Sequence, residues 1–153
     1  MNYAGFWLRF VAYIIDYILI WVVQSFVAIP ILGAMGMNFA SNMENMSEGE
    51  AMGAIASIIA AASATAMITF VLIIVYYTLM EASKFQGTVG KIILGLKVTD
   101  INGNKLDVVK ALIRNISKII SSLILLIGYI MAGFTEKKQA LHDMIAGTLV
   151  VKK

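Results

Sequence analysis

The chain of 153 residues has no cysteine, one proline, one histidine and little charge. The lack of cysteine excludes disulfides, thiolate metal sites and cysteine nucleophiles. One histidine and nine scattered carboxylates also argue against a dedicated metal site, and we expect no cofactor. Charged residues make up 14% of the chain and hydrophobic residues 60%, whereas soluble domains carry roughly 25% charge. Because so little polar surface remains to cover a soluble globule, the composition indicates an integral membrane protein.

Long apolar blocks are the main feature of the sequence, and the length suggests a single domain over residues 1–153. About twenty apolar residues suffice to span a bilayer. The blocks predict membrane segments at about 8–35, 51–80 and 108–134. A signal peptide is the rival interpretation of the first block, but the block is long and no cleavage site follows it. Pro30 is expected to kink the first helix or to end its regular part. The acidic residues 38–50 are expected to form a short loop.

Residues 92–100 and 147–152 differ from the apolar blocks because they are rich in β-branched side chains. The first stretch runs into Asn102-Gly103, a tight-turn signal. We expect the two stretches to pair as a small β element on the membrane surface. The predicted fold is therefore an all-α membrane protein with two long transmembrane helices, a third hydrophobic segment and this β element.

Lysine and arginine set the expected topology through the positive-inside rule. The loop at 38–50 has neither residue and is placed outside, whereas the loop at 81–107 has four lysines and is placed in the cytoplasm. The N-terminus and the basic tail are placed inside as well, in what we take to be a bacterial cytoplasmic membrane. A third span at 108–134 would put the tail outside. A re-entrant pair of short helices fits the charges better, although one third span stays open.

Small residues recur every fourth position along the second block. Such a ridge lets another helix approach closely. An alanine-rich helix that carries this spacing by chance is the plainer alternative. The ridge consists of Gly53, Ser57, Ala61, Thr65 and Thr69.

Arg9 and Asp16 interrupt the first block, and ionisable groups at membrane depth usually have a partner or a task. They are two helical turns apart, about 10 Å along the axis, so they share a face with Tyr13. Partners for Asp16 are expected to be Arg9, the Tyr13 hydroxyl, or Arg114 and Lys118. Asp16 either closes an ion pair that fixes helix packing, or takes up and releases a proton or cation.

Three motifs in this order resemble the RDD family of small membrane proteins, named for one arginine and two aspartates. They are AGFWLRFVAYIID, TVGKIILGLKVTDINGN and KKQALHDMIAGTLVV. The resemblance covers nearly the whole chain and places the family's residues on Arg9, Asp16 and Asp143, with Arg114 where the family often has an arginine. Ile92 departs from it, because an arginine often follows the lysine there. The resemblance implies transport, including cation/proton exchange suggested for some relatives.

Asp143 and His142 lie just outside the last apolar stretch. Asp143 is expected either to cap a helix N-terminus or to complete a charge cluster with Arg9, and both can hold. His142 titrates near neutral pH and is a candidate proton relay, although a lone interfacial histidine is more often simply solvated.

Two functions remain open at this stage. One is a transporter of small cations coupled to protons, which in so small a chain would require a homo-oligomer. The other is a non-transporting accessory module that binds a partner or anionic lipid headgroups. GTVGKIILG does not fit a phosphate-binding P-loop, no catalytic triad is evident, and we expect no enzyme. The net charge of +3 indicates topology rather than nucleic-acid binding.

Overall fold

A computed structural model describes residues 2–123 and 127–153 of the chain. Its secondary structure is mostly helical, with one small sheet. The elements are α1 (Phe6–Asn42), α2 (Glu48–Ala82), α3 (Val89–Ile93), β1 (Leu96–Asp100), α4 (Val108–Leu123), α5 (Ile127–Ile130), α6 (Leu141–Ala146) and β2 (Thr148–Lys152). Single 3₁₀ turns follow α1 at Met43–Asn45 and α5 at Met131–Gly133.

Helices α1 and α2 are both long and apolar enough to cross a membrane. They have 37 and 35 residues, or roughly 55 and 53 Å at 1.5 Å per residue, against a hydrocarbon core of about 30 Å. Large apolar side chains such as Trp21, Phe26 and Leu72 are exposed on them, as expected for surfaces that face lipid. The predicted all-α membrane fold with two long transmembrane helices is confirmed.

The boundaries of the long helices differ from those predicted. Pro30 lies inside α1, which continues for twelve further residues. Proline is tolerated in transmembrane helices where the backbone groups that it leaves without a hydrogen bond find other partners. The predicted loop at 38–50 was wrong in extent, because only residues 43–47 lie between α1 and α2. A capping box starts α2: the Ser47 backbone N–H donates to the Glu50 carboxylate at 2.9 Å, and Glu50 N–H donates to Ser47 Oγ at 3.4 Å.

The chain divides into two compact units. The second unit, Leu19–Leu72, contains the connected ends of α1 and α2. Along the small-residue ridge in this unit, Ala61, Thr65 and Thr69 are half-buried, whereas Gly53 and Ser57 are exposed. Nothing lies within 4 Å of where a side chain at Gly53 would begin.

The first unit comprises Met1–Ile18 and Ile73–Lys153 and is built around the sheet. Strands β1 and β2 pair antiparallel with Val98 opposite Val150, which confirms the predicted β element within narrower bounds. The N-terminal segment joins the sheet through a bridge between Tyr3 and Val151, and Ala4 N–H donates to Val150 O at 2.9 Å. The N-terminal segment, β1 and β2 are therefore hydrogen-bonded to one another, and most residues of the two strands are buried.

The third hydrophobic segment contains two separate helices, α4 and α5. A Cβ at Gly128 in α5 would lie 2.8 Å from Ser121 Cβ in α4. Residues seven apart in one helix lie about 10 Å apart along its axis, so this contact requires the chain to fold back. The arrangement agrees with the paired short helices and not with one continuous third helix.

Candidate functional site

Five charged side chains from five elements meet in the interior of the first unit, and we call them the charge network. The first turns of α1, the end of α2, α3, α4 and α6 each contribute one: Arg9, Glu81, Lys91, Arg114 and Asp143. Removing charges from water is costly unless each one is paired and hydrogen-bonded. The contacts in this network meet that condition.

Asp143 joins two arginines. One carboxylate oxygen accepts from Arg9 Nη1, and the other accepts from Arg114 Nε at 2.8 Å. Arg9 also donates from Nε to Ala4 O at 2.9 Å and from Nη2 to Lys138 O at 2.6 Å. The structure thus brings together three of the residues that the sequence singled out.

Arg114 continues the network toward Glu81. Its Nη1 donates to Glu81 Oε1 at 2.5 Å, so one fully buried guanidinium joins two fully buried carboxylates. Lys91 Nζ donates to the same Glu81 oxygen, and Asn115 Nδ2 donates to the other at 3.2 Å. Lys118 Nζ lies farther from Glu81, at 3.8 Å.

Position 143 is not the N-cap of α6. Ala140 is the N-cap, and Asp143 lies in the first turn with its Oδ2 accepting from Ala140 N–H at 3.1 Å. Burial would raise the pKa of Asp143, but the charges of Arg114 and Arg9 outweigh burial and hold that pKa well below its usual value. The expectation that Asp143 is the N-cap was therefore wrong, and Asp143 instead accepts from the N-cap residue and bridges the two arginines.

His142 is buried rather than solvated. Its Nδ1 lies 3.3 Å from Ser121 Oγ, its Nε2 lies 3.6 Å from Asp143 Oδ1, and its ring is 5.1 Å from that of Tyr129. Burial lowers the pKa of His142 to about 2 despite Asp143, so the imidazole is neutral. The sequence did not predict that His142 lies between Ser121 and Asp143. The Ser121 hydroxyl is fully buried beneath Gly128, out of reach of a substrate.

Asp16 forms a second site, the Asp16 site, with residues at the start of α3. Its carboxylate is 1% exposed and accepts from Thr88 Oγ1 at 2.5 Å, Gly90 N–H at 2.8 Å and Tyr76 OH at 3.5 Å. A Cβ at Gly90 would lie 2.1 Å from Ala12 O. Helix α3 can therefore approach α1 this closely only because residue 90 is glycine.

The structure does not join Asp16 to the cations expected for it. Within residues 2–123 and 127–153, none of the ion pairs involves Asp16, whereas Arg9 and Arg114 both pair with Asp143. The Thr88 and Tyr76 hydroxyls and the Gly90 N–H donate to Asp16 where a cation was expected. Tyr13 also lies apart: it is 56% exposed and packs on Tyr17 at a centroid distance of 6.2 Å.

Sequence reasoning missed Glu81, Lys91, Thr88 and Gly90 as site residues. Glu81 carried a signal, because it is the first charge after the uncharged block 51–80. The other three lie in the central glycine-lysine motif. The sequence could not show which side chains this motif contacts, because it does not show which helix packs against it.

Comparison with known proteins gives matches along nearly the whole chain. Residues 3–147 match the model of the RDD family. The chain is 39% identical to the uncharacterized protein YxaI of Bacillus subtilis (strain 168), across 98% of this chain and 97% of that protein. It is 30% identical to the uncharacterized membrane protein YteJ of the same organism, across 97% of this chain and 80% of that protein. No solved structure matches.

Proposed function

The chain belongs to the RDD family of membrane proteins, and from this premise we propose that it exchanges small cations for protons at the Asp16 site. The proposal places the protein in the bacterial cytoplasmic membrane with its N-terminus in the cytoplasm, and it assigns no enzymatic reaction. The observation that carries it is the buried Asp16 carboxylate, which has only uncharged donors around it in the described residues.

Two of the three groups that donate hydrogen bonds to Asp16 are hydroxyls. The Thr88 and Tyr76 hydroxyls contact the carboxylate, and both the Ala12 carbonyl oxygen and Asp16 Cγ lie within 3.1 Å of where a Cβ on Gly90 would stand. Carboxylate, carbonyl and hydroxyl oxygens are the ligands of hard cations. A single carboxylate can hold either a proton or a cation, and this competition is the basis of exchange. Ionisable residues at membrane depth often mark such pathways.

The charge network has a different part in this proposal. Its carboxylates are already paired with arginine and lysine, so they are poor candidates for a cation that comes and goes. By joining α1, α2, α3, α4 and α6, the network fixes the elements that carry Asp16 and its partners. A pathway through so small a chain would also require a homo-oligomer, for which the ridge of α2 is the proposed interface.

Flux through reconstituted vesicles tests the proposal. Purified protein is reconstituted in liposomes that contain a pH dye. When sodium, lithium or potassium is added outside, we expect protons to leave the liposomes and the internal pH to rise. Asp16→Asn should remove this flux while the protein still elutes as a folded species, because an amide cannot carry the proton. Asp16→Glu should keep part of the flux with a shifted pH optimum.

Glu136→Gln is the matched control, because it makes the same change of carboxylate to amide at an exposed residue. Its flux should equal that of the wild type. Wild-type flux in a well-folded Asp16→Asn protein would remove Asp16 from the mechanism.

An accessory module is the second candidate, favoured by the lysines at the sheet that β1 and β2 form with the N-terminal segment. Lys97, Lys152 and Lys153 belong to or adjoin these strands, and they suit an acidic partner. If the wild-type protein moves neither sodium, lithium, potassium nor protons, this candidate replaces transport.

A further inference from the structure

A groove at the start of α1 has a different character from both sites described above. Its cavity volume is about 590 Å³, within the range typical of ligand pockets. Aromatic and aliphatic side chains form the walls, and two lysines complete the lining. The groove is lined by residues that include Phe6, Trp7, Ile130, Phe134, Lys138 and Lys152.

The groove is held in shape by the charge network. Arg9 donates to the carbonyl oxygen of Ala4, which adjoins the lining residue Gly5, and to that of Lys138, which lines the groove. Its remaining amine group pairs with buried Asp143. Phe6 packs on Trp7 and on Phe10, at centroid distances of 5.3 and 5.8 Å. The backbone beside the groove and the Phe6 ring are therefore held in place before any ligand arrives, which reduces the entropic cost of binding.

Charge in the groove is of one sign. Of the residues that line it, only Lys138 and Lys152 are charged, and neither makes an ion pair within the described part of the chain. Trp7 is 74% exposed and Phe134 is 87% exposed. Trp7 lies at the start of the transmembrane helix α1, and an exposed tryptophan there is typical of the membrane–water boundary, where anionic headgroups attract lysine.

We propose that this groove binds one anionic glycerophospholipid, with its phosphate between Lys138 and Lys152 and an acyl chain along Phe6, Ile130 and Phe134. Apolar walls beside two ammonium groups suit a ligand that is apolar at one end and anionic at the other. A soluble anion would leave the aromatic walls uncovered. The site is independent of whether Asp16 supports transport.

Trp7 supplies a local reporter, because the chain has only two tryptophans and the other, Trp21, lies farther along α1. In Trp21→Phe protein the emission therefore comes from Trp7 alone. The protein is reconstituted in phosphatidylcholine vesicles with a minor fraction of either brominated phosphatidylglycerol or brominated phosphatidylcholine. We expect the anionic brominated lipid to quench Trp7 as if enriched about tenfold over the bulk bilayer. In Trp7→Phe protein, Trp21 should be quenched equally by both.

Lysine substitutions locate the effect. Lys138→Gln with Lys152→Gln should abolish the preference at Trp7, whereas Lys84→Gln with Lys105→Gln removes the same charge from exposed positions outside the groove and should keep it. Equal quenching of Trp7 by the two lipids in the wild-type background would overturn the proposal. Equal loss in both double variants would also overturn it, because the attraction would then be diffuse. Displacement of the effect by soluble glycerol phosphate would identify a soluble anion as the ligand instead.

Discussion

His142 is the chain's only histidine, so its protonation should be detectable in the pH dependence of stability. It is neutral in the folded protein, with a pKa lowered to about 2 by burial, whereas an unfolded histidine titrates near 6.5. Below about pH 6.5 the unfolded chain therefore binds the extra proton, and stability falls as the pH falls. Between pH 7 and pH 5 the loss should approach about 2 kcal/mol.

Unfolding midpoints in detergent at several pH values check this prediction. His142→Asn should flatten the dependence between pH 7 and pH 5. Asp143 does not contribute in this window: its lowered pKa stabilises the fold above the ordinary value near 3.9, and that contribution is lost only as the pH falls further. An identical slope in the wild type and in His142→Asn would contradict the buried neutral imidazole.

The structure brings marked residues together where the partner is another marked charge. Arg9, Arg114 and Asp143 stand out in an apolar sequence, and opposite charges in such surroundings must find each other. Asp16 differs because its partners, Thr88 and Gly90, are uncharged residues more than seventy positions away. A backbone N–H donor leaves no mark in a sequence, so the location of Asp16 required the fold.

Helix α3 is the element whose attachment depends most on one glycine. Gly90→Ala would place a Cβ 2.1 Å from the Ala12 carbonyl oxygen, and a helix backbone cannot move aside cheaply. We expect a loss of stability of about 3 kcal/mol or more, measured from the unfolding midpoint in detergent.

Gly33→Ala is the matched control, because Gly33 lies inside α1 with nothing within 4 Å of a new Cβ. Alanine is favoured over glycine there by about 1 kcal/mol, so its stability should be unchanged or higher. A Gly90→Ala protein as stable as the wild type would show that α3 does not pack against α1 at this distance.

The elements that could be predicted were those with a strong local signal. Residues 96–100 and 148–152 have β-branched runs, and Asn102-Gly103 marks the turn, in which Asp100 Oδ1 accepts from Asn102 and Asn104 N–H at 2.8 Å. Helix α3 has five residues, too few to show a helical period. The end of α1 was misplaced because polar residues were taken for a loop. The start of α2 was misplaced for the same reason, whereas the capping at Ser47 sets that boundary.

At the scale of the whole molecule, charge is divided along the chain. The ion pairs of the described residues lie in the first unit. In the second unit the charged residues are Glu44, Glu48 and Glu50, all near the turn between α1 and α2. This division fits the apolar blocks of the sequence, because lipid excludes unpaired charge. How the charges of the first unit pair depends on contacts between distant segments, which hydropathy does not report.

Topology is the remaining property of the whole chain that an experiment can decide. The absence of cysteine allows single cysteines to be introduced without background. Ser47, Asn102 and Lys152 are exposed and sample the turn after α1, the turn after β1 and the end of β2. With an impermeant thiol reagent on intact cells, we expect Ser47→Cys to be labelled, and Asn102→Cys and Lys152→Cys to be labelled only after the membrane is opened.

The labelling expectation has two parts: Asn102 and Lys152 lie on one side of the membrane, and that side is the cytoplasm. Asn102 and Lys152 must lie on one side because β1 pairs with β2 over five residues and Lys152 N–H donates to Asn2 O at 2.9 Å. Labelling of these two positions from opposite sides would contradict the sheet. The assignment of that side to the cytoplasm rests on the lysines of the 81–107 loop and the tail. Labelling of both from outside, with Ser47 protected, would keep the fold and reverse its orientation. In that case the lysines beside the groove would face the outer leaflet, and the anionic lipid would have to come from there.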